Sequence, residues 1–184
     1  MPTHSLNRWI AFAVLAGALQ TGAALAQSAP TAWSVGYSTD KLTPTNGVDQ
    51  RMNGFALGGE HPITSDLSLE ASLNRQTGTQ TDTVTGGTID MRQLGALGGL
   101  KATVVVNPKV QWFTHFLIGV QQLKASEGSA SDQRTAPAFG MGLGLDLAIA
   151  PHLSVRAQQD FICTRYAGDY QTGATFFMGL VIRR

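Results

Sequence analysis

Large apolar residues after residue 31 recur at every second position, the period of β-strands whose two faces meet different surroundings. The clearest stretch runs Phe139-Gly140-Met141-Gly142-Leu143-Gly144-Leu145-Asp146-Leu147. Its odd positions are large and apolar; its even positions are three glycines and an aspartate. In 153–163, Leu153, Val155, Ala157, Phe161 and Cys163 share one face, with Gln159 as the exception, and Ser154, Arg156, Gln158 and Asp160 share the other. Near the end, Phe176, Met178, Leu180 and Ile182 alternate with Phe177, Gly179, Val181 and Arg183. Upstream, Leu67, Leu69, Ala71 and Leu73 oppose Ser68, Glu70, Ser72 and Asn74.

A soluble β-sandwich also alternates, but its second face is polar and bulky enough to hold water. A face of glycine with one acid fits the crowded interior of a narrow barrel, and the apolar face then fits lipid. The pattern predicts eight strands, at 31–39, 51–60, 67–75, 88–103, 109–123, 135–149, 152–164 and 171–183. An even count is what a closed antiparallel transmembrane barrel needs. The predicted fold is therefore all-β, an eight-stranded antiparallel up-and-down barrel, in one domain spanning 27–184.

The connections alternate in character. His61–Asp66, Val104–Pro108 and Ala150–Pro151 are short and contain proline; Asp40–Gln50, Gln76–Gly87, Lys124–Arg134 and Arg165–Tyr170 are mostly longer and polar. Short periplasmic turns and longer outer loops are the habit of such barrels, which places both termini in the periplasm. Trp33 and Trp112 start upward strands on the outward parity and form the expected periplasmic aromatic girdle. Phe139, Phe161 and Phe176 fall toward the opposite rim.

The first residues point to export. Arg8 is a positive n-region, Trp9 to Leu19 is an apolar run of 11 residues, and Ala24-Leu25-Ala26 is a small-x-small cleavage site. The run is short of the ~20 residues a membrane helix needs, so residues 1–26 are expected to be a cleaved signal peptide. The single cysteine, Cys163, gives no intrachain disulfide. Charged residues make up 14% of the chain, below the ~25% of an ordinary soluble domain. Without Arg8 the acids and bases balance, which argues against nucleic-acid binding.

Alternation assigns Glu60, Glu70, Lys101, Asp146, Arg156 and Asp160 to the lumen. Buried charges must be paired, so they are expected to form an ion-paired plug, with an Arg156–Asp146 pair extended by Lys101 or Glu60. A gated ion path through the same residues is the competing reading. His115 also points inward, as a hydrogen-bonding group; with no second His or Cys at ligand spacing, no metal or cofactor is expected. The lipid-facing set is Phe139, Met141, Leu143, Leu145, Leu147, Phe176, Met178, Leu180 and Ile182. Gly58-Gly59 and Gly98-Gly99 lack the following helix and lysine of a phosphate loop.

Trp112-Phe113-Thr114-His115-Phe116-Leu117-Ile118-Gly119-Val120, the strand 139–147, Arg156 to Phe161, and Gly179 to Arg183 together resemble the small single-domain outer-membrane barrels of the OmpA/OmpX type, within the porin-like outer-membrane β-barrel proteins. The resemblance spans the whole mature chain as a repeated weak pattern. It implies a monomeric, non-enzymatic barrel of the Gram-negative cell outer membrane, surrounded by outer-membrane lipid, inserted by the barrel-insertion machinery, and serving envelope structure or an unknown surface ligand, with at most slow ion passage. Such chains usually finish with an aromatic residue, where this one has Arg184. His152-Leu153-Ser154 invites comparison with the His-x-Ser of barrels that deacylate lipid A, but it lies at the presumed periplasmic turn with Ser154 inward, away from an outer-leaflet substrate. A lipid A-modifying enzyme and a soluble periplasmic barrel holding a hydrophobic ligand remain the alternatives; the latter needs the faces of 139–147 reversed.

Overall fold

The computed structural model describes residues 31–43, 50–81, 86–128, 130–166 and 169–184. The expected signal peptide lies outside the described residues. Eight strands follow in order: β1 (Ala32–Thr43), β2 (Gln50–Pro62), β3 (Leu67–Thr81), β4 (Thr88–Asn107), β5 (Val110–Glu127), β6 (Ala130–Ala150), β7 (Leu153–Tyr166) and β8 (Asp169–Arg183). Each pairs antiparallel with its sequence neighbour, and β1 pairs with β8, from Ala32↔Arg183 to Thr43↔Thr172. The result is a closed barrel. Closure satisfies every strand's backbone on both sides, so no open edge is left.

The turns at the end carrying the chain termini are tight. Thr64 Oγ1 accepts from the backbone N–H groups of Asp66 at 3.3 Å and Leu67 at 3.1 Å. Asn107 Oδ1 accepts from those of Lys109 at 2.9 Å and Val110 at 3.0 Å, the self-bonded turn that a short polar side chain offers. The ladder shifts register between Val105 and Asn107 and between Ala148 and Ala150, where an extra residue bends the strand into its turn.

At the other end the strands run further than the apolar pattern predicts. All of 76–81 and, among the described residues, all of 124–134 except Gly128 is strand, and β5 and β6 stay paired out to Glu127↔Ala130. The long fifth loop expected over Lys124–Arg134 is corrected: strand runs to Glu127 on one side and from Ala130 on the other, with Gly128 at φ 55°. The predicted boundaries stopped where outward apolar residues stop. A hydrogen-bonded ladder does not need them, and alternating Thr77, Thr79 and Thr81 carry β-branched residues that favour extended backbone into water.

Candidate functional site: the barrel lumen

Inward side chains fill the barrel in layers. Near the termini Arg156, fully buried, grips Asp146 on the directly paired position of β6. Its Nε donates to Asp146 Oδ1 at 2.7 Å and its terminal nitrogen to Oδ2 at 2.8 Å, the two-pronged geometry that suits guanidinium to carboxylate. The other terminal nitrogen lies 2.5 Å from Glu60 Oε1. Lys101 donates to Glu60 at 2.7 Å and approaches Asp146 at 4.0 Å. Arg183 adds a 2.7 Å bond to Asp146, a 3.3 Å bond to Gln111 and a bond to the Ser154 hydroxyl. Phe113 sits beneath the cations, 4.2 Å from Lys101 Nζ and 4.5 Å from the Arg156 guanidinium carbon, where the ring face attracts positive charge.

The second layer is built around His115. Its Nδ1 lies 2.8 Å from Glu70 and its Nε2 2.9 Å from Asp160. Both neighbours are carboxyl groups, so the ring is held at each of its two nitrogens. Gln158 donates to the second oxygen of Asp160 at 2.7 Å. Glu60 and Glu70 face each other directly across β2 and β3, an arrangement that repels unless each acid has its own cation. Here Glu60 turns to Lys101 and Arg156, and Glu70 turns to His115.

Glycine makes this crowding possible. Gly142 is paired with His115 on one side and Asp160 on the other. A Cβ there would lie 2.1 Å from Asp160 Oδ1 and 2.4 Å from His115 Nε2. Gly144 likewise leaves the space that the Phe113 ring enters.

Beyond His115 come Leu97, Leu117, Ala138 and Ile162, a buried apolar layer inside the lumen. Next lies a hydrogen-bonded polar chain: Gln93 donates to Asp40 at 3.0 Å and to Gln76 at 3.3 Å, and Gln76 donates to Ser38 at 2.5 Å. Met52 and Met91, packed by Ile89 and Leu123, cover that end. A cavity of about 40 Å³, bordered by Ser34, Glu70, Ser72, Asp160 and Thr175, has room for about three waters.

Of the lumen candidates, the structure brings Glu60, Lys101, Asp146 and Arg156 into one network, and Glu70, Asp160 and His115 into another. Sequence reasoning missed Arg183, Phe113, the Asp40–Gln93–Gln76–Ser38 chain and the apolar layer. Arg183 lies at the very end of its strand, Asp40 and Gln76 fall just past the strand ends that the apolar pattern predicts, and the others carry no charge to mark them. Ser154 is buried and bonded to Arg183, while His152 is exposed in the turn. Among the described residues, no group of His, Cys, Asp and Glu is arranged to hold a metal ion.

Outside, Phe139, Met141, Leu143, Leu147, Phe176, Met178, Leu180 and Ile182 are exposed, Leu145 is half-buried, and Trp33 and Trp112 are exposed near the termini end. The belt continues through Tyr37, Phe55, Leu57, Phe116, Ile118 and Phe161. Gln159, the polar exception on this face, donates to the carbonyls of Thr175 at 3.0 Å and Asp160 at 3.3 Å, folding its amide back onto the sheet.

A family profile described as the outer membrane protein beta-barrel domain matches residues 10–179. Among solved structures, the chain is similar to Ail, the attachment invasion locus protein of Yersinia pestis, in complex with the heparin analogue sucrose octasulfate. They share 18% identity, over 86% of this chain and 100% of that one, with a TM-score of 0.64. Neisserial surface protein A, NspA, aligns at 11% identity over 84% of this chain and 97% of its own, with a TM-score of 0.69. At these identities the likeness shows the fold. No curated protein sequence matches the chain.

Proposed function

Because this chain belongs to the outer membrane protein β-barrel family, an integral barrel of the outer membrane, we propose that it is a non-enzymatic, monomeric barrel with a closed lumen. It serves envelope structure or presents its termini-distal loops to a surface partner, and passes ions slowly at most. The observation that carries this reading is the layered filling of the lumen: an ion-paired network, a His115–dicarboxylate layer, an apolar layer and a methionine cap lie in series. An eight-stranded barrel leaves an interior just large enough for side chains, and a continuous water column would require all four layers to part.

In this reading the exposed apolar belt meets lipid, Trp33 and Trp112 sit at the periplasmic interface, and the tight turns and both termini are periplasmic. Insertion uses the outward run Phe176, Met178, Leu180 and Ile182. The enzymatic alternative is disfavoured by the position of Ser154, whose hydroxyl accepts from Arg183 inside the barrel, where a nucleophile would donate to a base. The soluble ligand-binding alternative is disfavoured by an outward face of Phe, Met and Leu, an exposed patch larger than soluble monomers tolerate.

Outer-membrane fractionation with heat-modifiable gel mobility, combined with planar-bilayer recording, tests the proposal. A heat-modifiable membrane band with rare, small openings is expected. A soluble periplasmic species, or large sustained conductance, overturns it.

A further inference from the structure

We propose that the lumen holds a binding site for one small monovalent cation, in the cavity beside the His115–dicarboxylate layer. The site follows from the geometry of the lumen and gives the closed interior a ligand. The cavity, about 40 Å³, is bordered by Ser34 on β1, Glu70, Ser72 and Asn74 on β3, Asp160 on β7 and Thr175 on β8. It exists because β2 places Gly58 between Ser34 and Ser72, each of them its directly paired neighbour. A Cβ at Gly58 would collide with the Ser34 hydroxyl.

The wall presents oxygen. Thr175 is 5% exposed, and its Oγ1 is buried without a partner from the chain; so is Asn74 Oδ1. Glu70 and Asp160 are buried, and each gives one oxygen to His115. A carboxylate has about four lone-pair positions, so both keep capacity toward the cavity. The Gln158 amide at the same wall donates to Asp160. Buried polar atoms without partners are costly, and hydroxyl, amide and carboxylate oxygens are the ligands that hard cations take.

Charge selects a cation over water alone. From this layer to the methionine cap, the titratable inward groups among the described residues are Glu70, Asp160, Asp40 and His115. Three acids face one base, and His115 balances one carboxylate at most. Asp40 pairs directly with Thr175 across β1 and β8, and it accepts from the neutral Gln93 amide. The ion pairs of Lys101, Arg156 and Arg183 run to Glu60 and Asp146 instead. An unbalanced carboxylate in a dry site is strongly disfavoured; a bound cation cancels it. Calcium takes about six to eight oxygen ligands and magnesium needs a near-ideal octahedron. Two carboxylates already serving His115, with two neutral oxygens, suit a single charge, and about one or two waters complete its shell.

The test uses the full chain folded in phosphatidylcholine vesicles. Urea midpoints are measured as sodium chloride replaces choline chloride at constant ionic strength. The wild-type midpoint should rise with the logarithm of sodium concentration, as it does for a ligand that binds only the folded state. Thr175→Val removes the unpartnered hydroxyl at nearly equal size; it should fold in choline chloride and lose the sodium response. Ser34→Ala should keep the response but shift it to higher sodium. If Thr175→Val does not fold, crystals of the wild type grown in rubidium chloride carry the test, with an anomalous peak expected between Thr175, Glu70 and Asp160. Equal midpoints in choline and sodium, with no rubidium peak, mean that water alone fills the cavity and overturn the site. A sodium response unchanged by Thr175→Val, or a rubidium peak elsewhere in the barrel, also overturns it. Membrane fractionation and conductance decide the closed-barrel reading by themselves, so the two fail separately.

Discussion

His115 on β5 and Asp160 on β7 hydrogen-bond at 2.9 Å across the intervening strand, directly over Gly142. The contact exists because β6 has no side chain at that position. Gly142→Ala should therefore push the two apart and cost about 1–3 kcal/mol, the range for overpacking or for leaving a buried polar group unsatisfied. Urea titration of the folded barrel in lipid vesicles reads this directly. An unchanged midpoint would show that the lumen yields at this layer.

The Arg156 network predicts strong coupling. Arg156→Ala leaves Asp146 and Glu60 short of a cation in a dry site and should cost about 3–5 kcal/mol, whereas Arg156→Ala combined with Asp146→Ala should cost less than the sum of the single changes. In planar bilayers, Arg156→Ala should open more often or more widely than wild type. Additive losses would remove the pair from the account of stability, and identical conductance would remove it from the seal.

The two faces of β6 should respond oppositely to charge. Leu143 is outward and exposed, and Leu143→Arg should cost about 2–4 kcal/mol if it lies near the bilayer midplane. Arg134→Leu, well beyond the belt on the same strand and paired only with exposed Asp132, should change little. Folding yield into vesicles separates the two; normal folding of Leu143→Arg contradicts lipid contact at that position.

Ser154 has a structural partner in Arg183. His152→Ala and Ser154→Ala should therefore leave the lipid A of an expressing strain unchanged by mass spectrometry. An acyl chain missing with wild type but present with Ser154→Ala would establish catalysis.

Strand type, strand number and the sorting of each strand into two faces were legible in the chain, because period-two alternation is local: each residue's side follows from its neighbours'. The glycine and acid face of 139–147 already required a narrow interior. Strand ends were less legible, since the paired ladder continues into water past the point where outward apolar residues stop, as in 124–134. Alternation also could not say which inward groups meet. Arg156 and Glu60 lie 96 positions apart by their numbers and touch because β8 closes onto β1, which brings β7 within reach of β2; His115 meets Asp160 because register sets a glycine between them. Parity is a property of the backbone pleat and belongs to the sequence. Partnership depends on register and closure, which sum the hydrogen bonds and packing of all eight strands, and so is decided only by the tertiary structure.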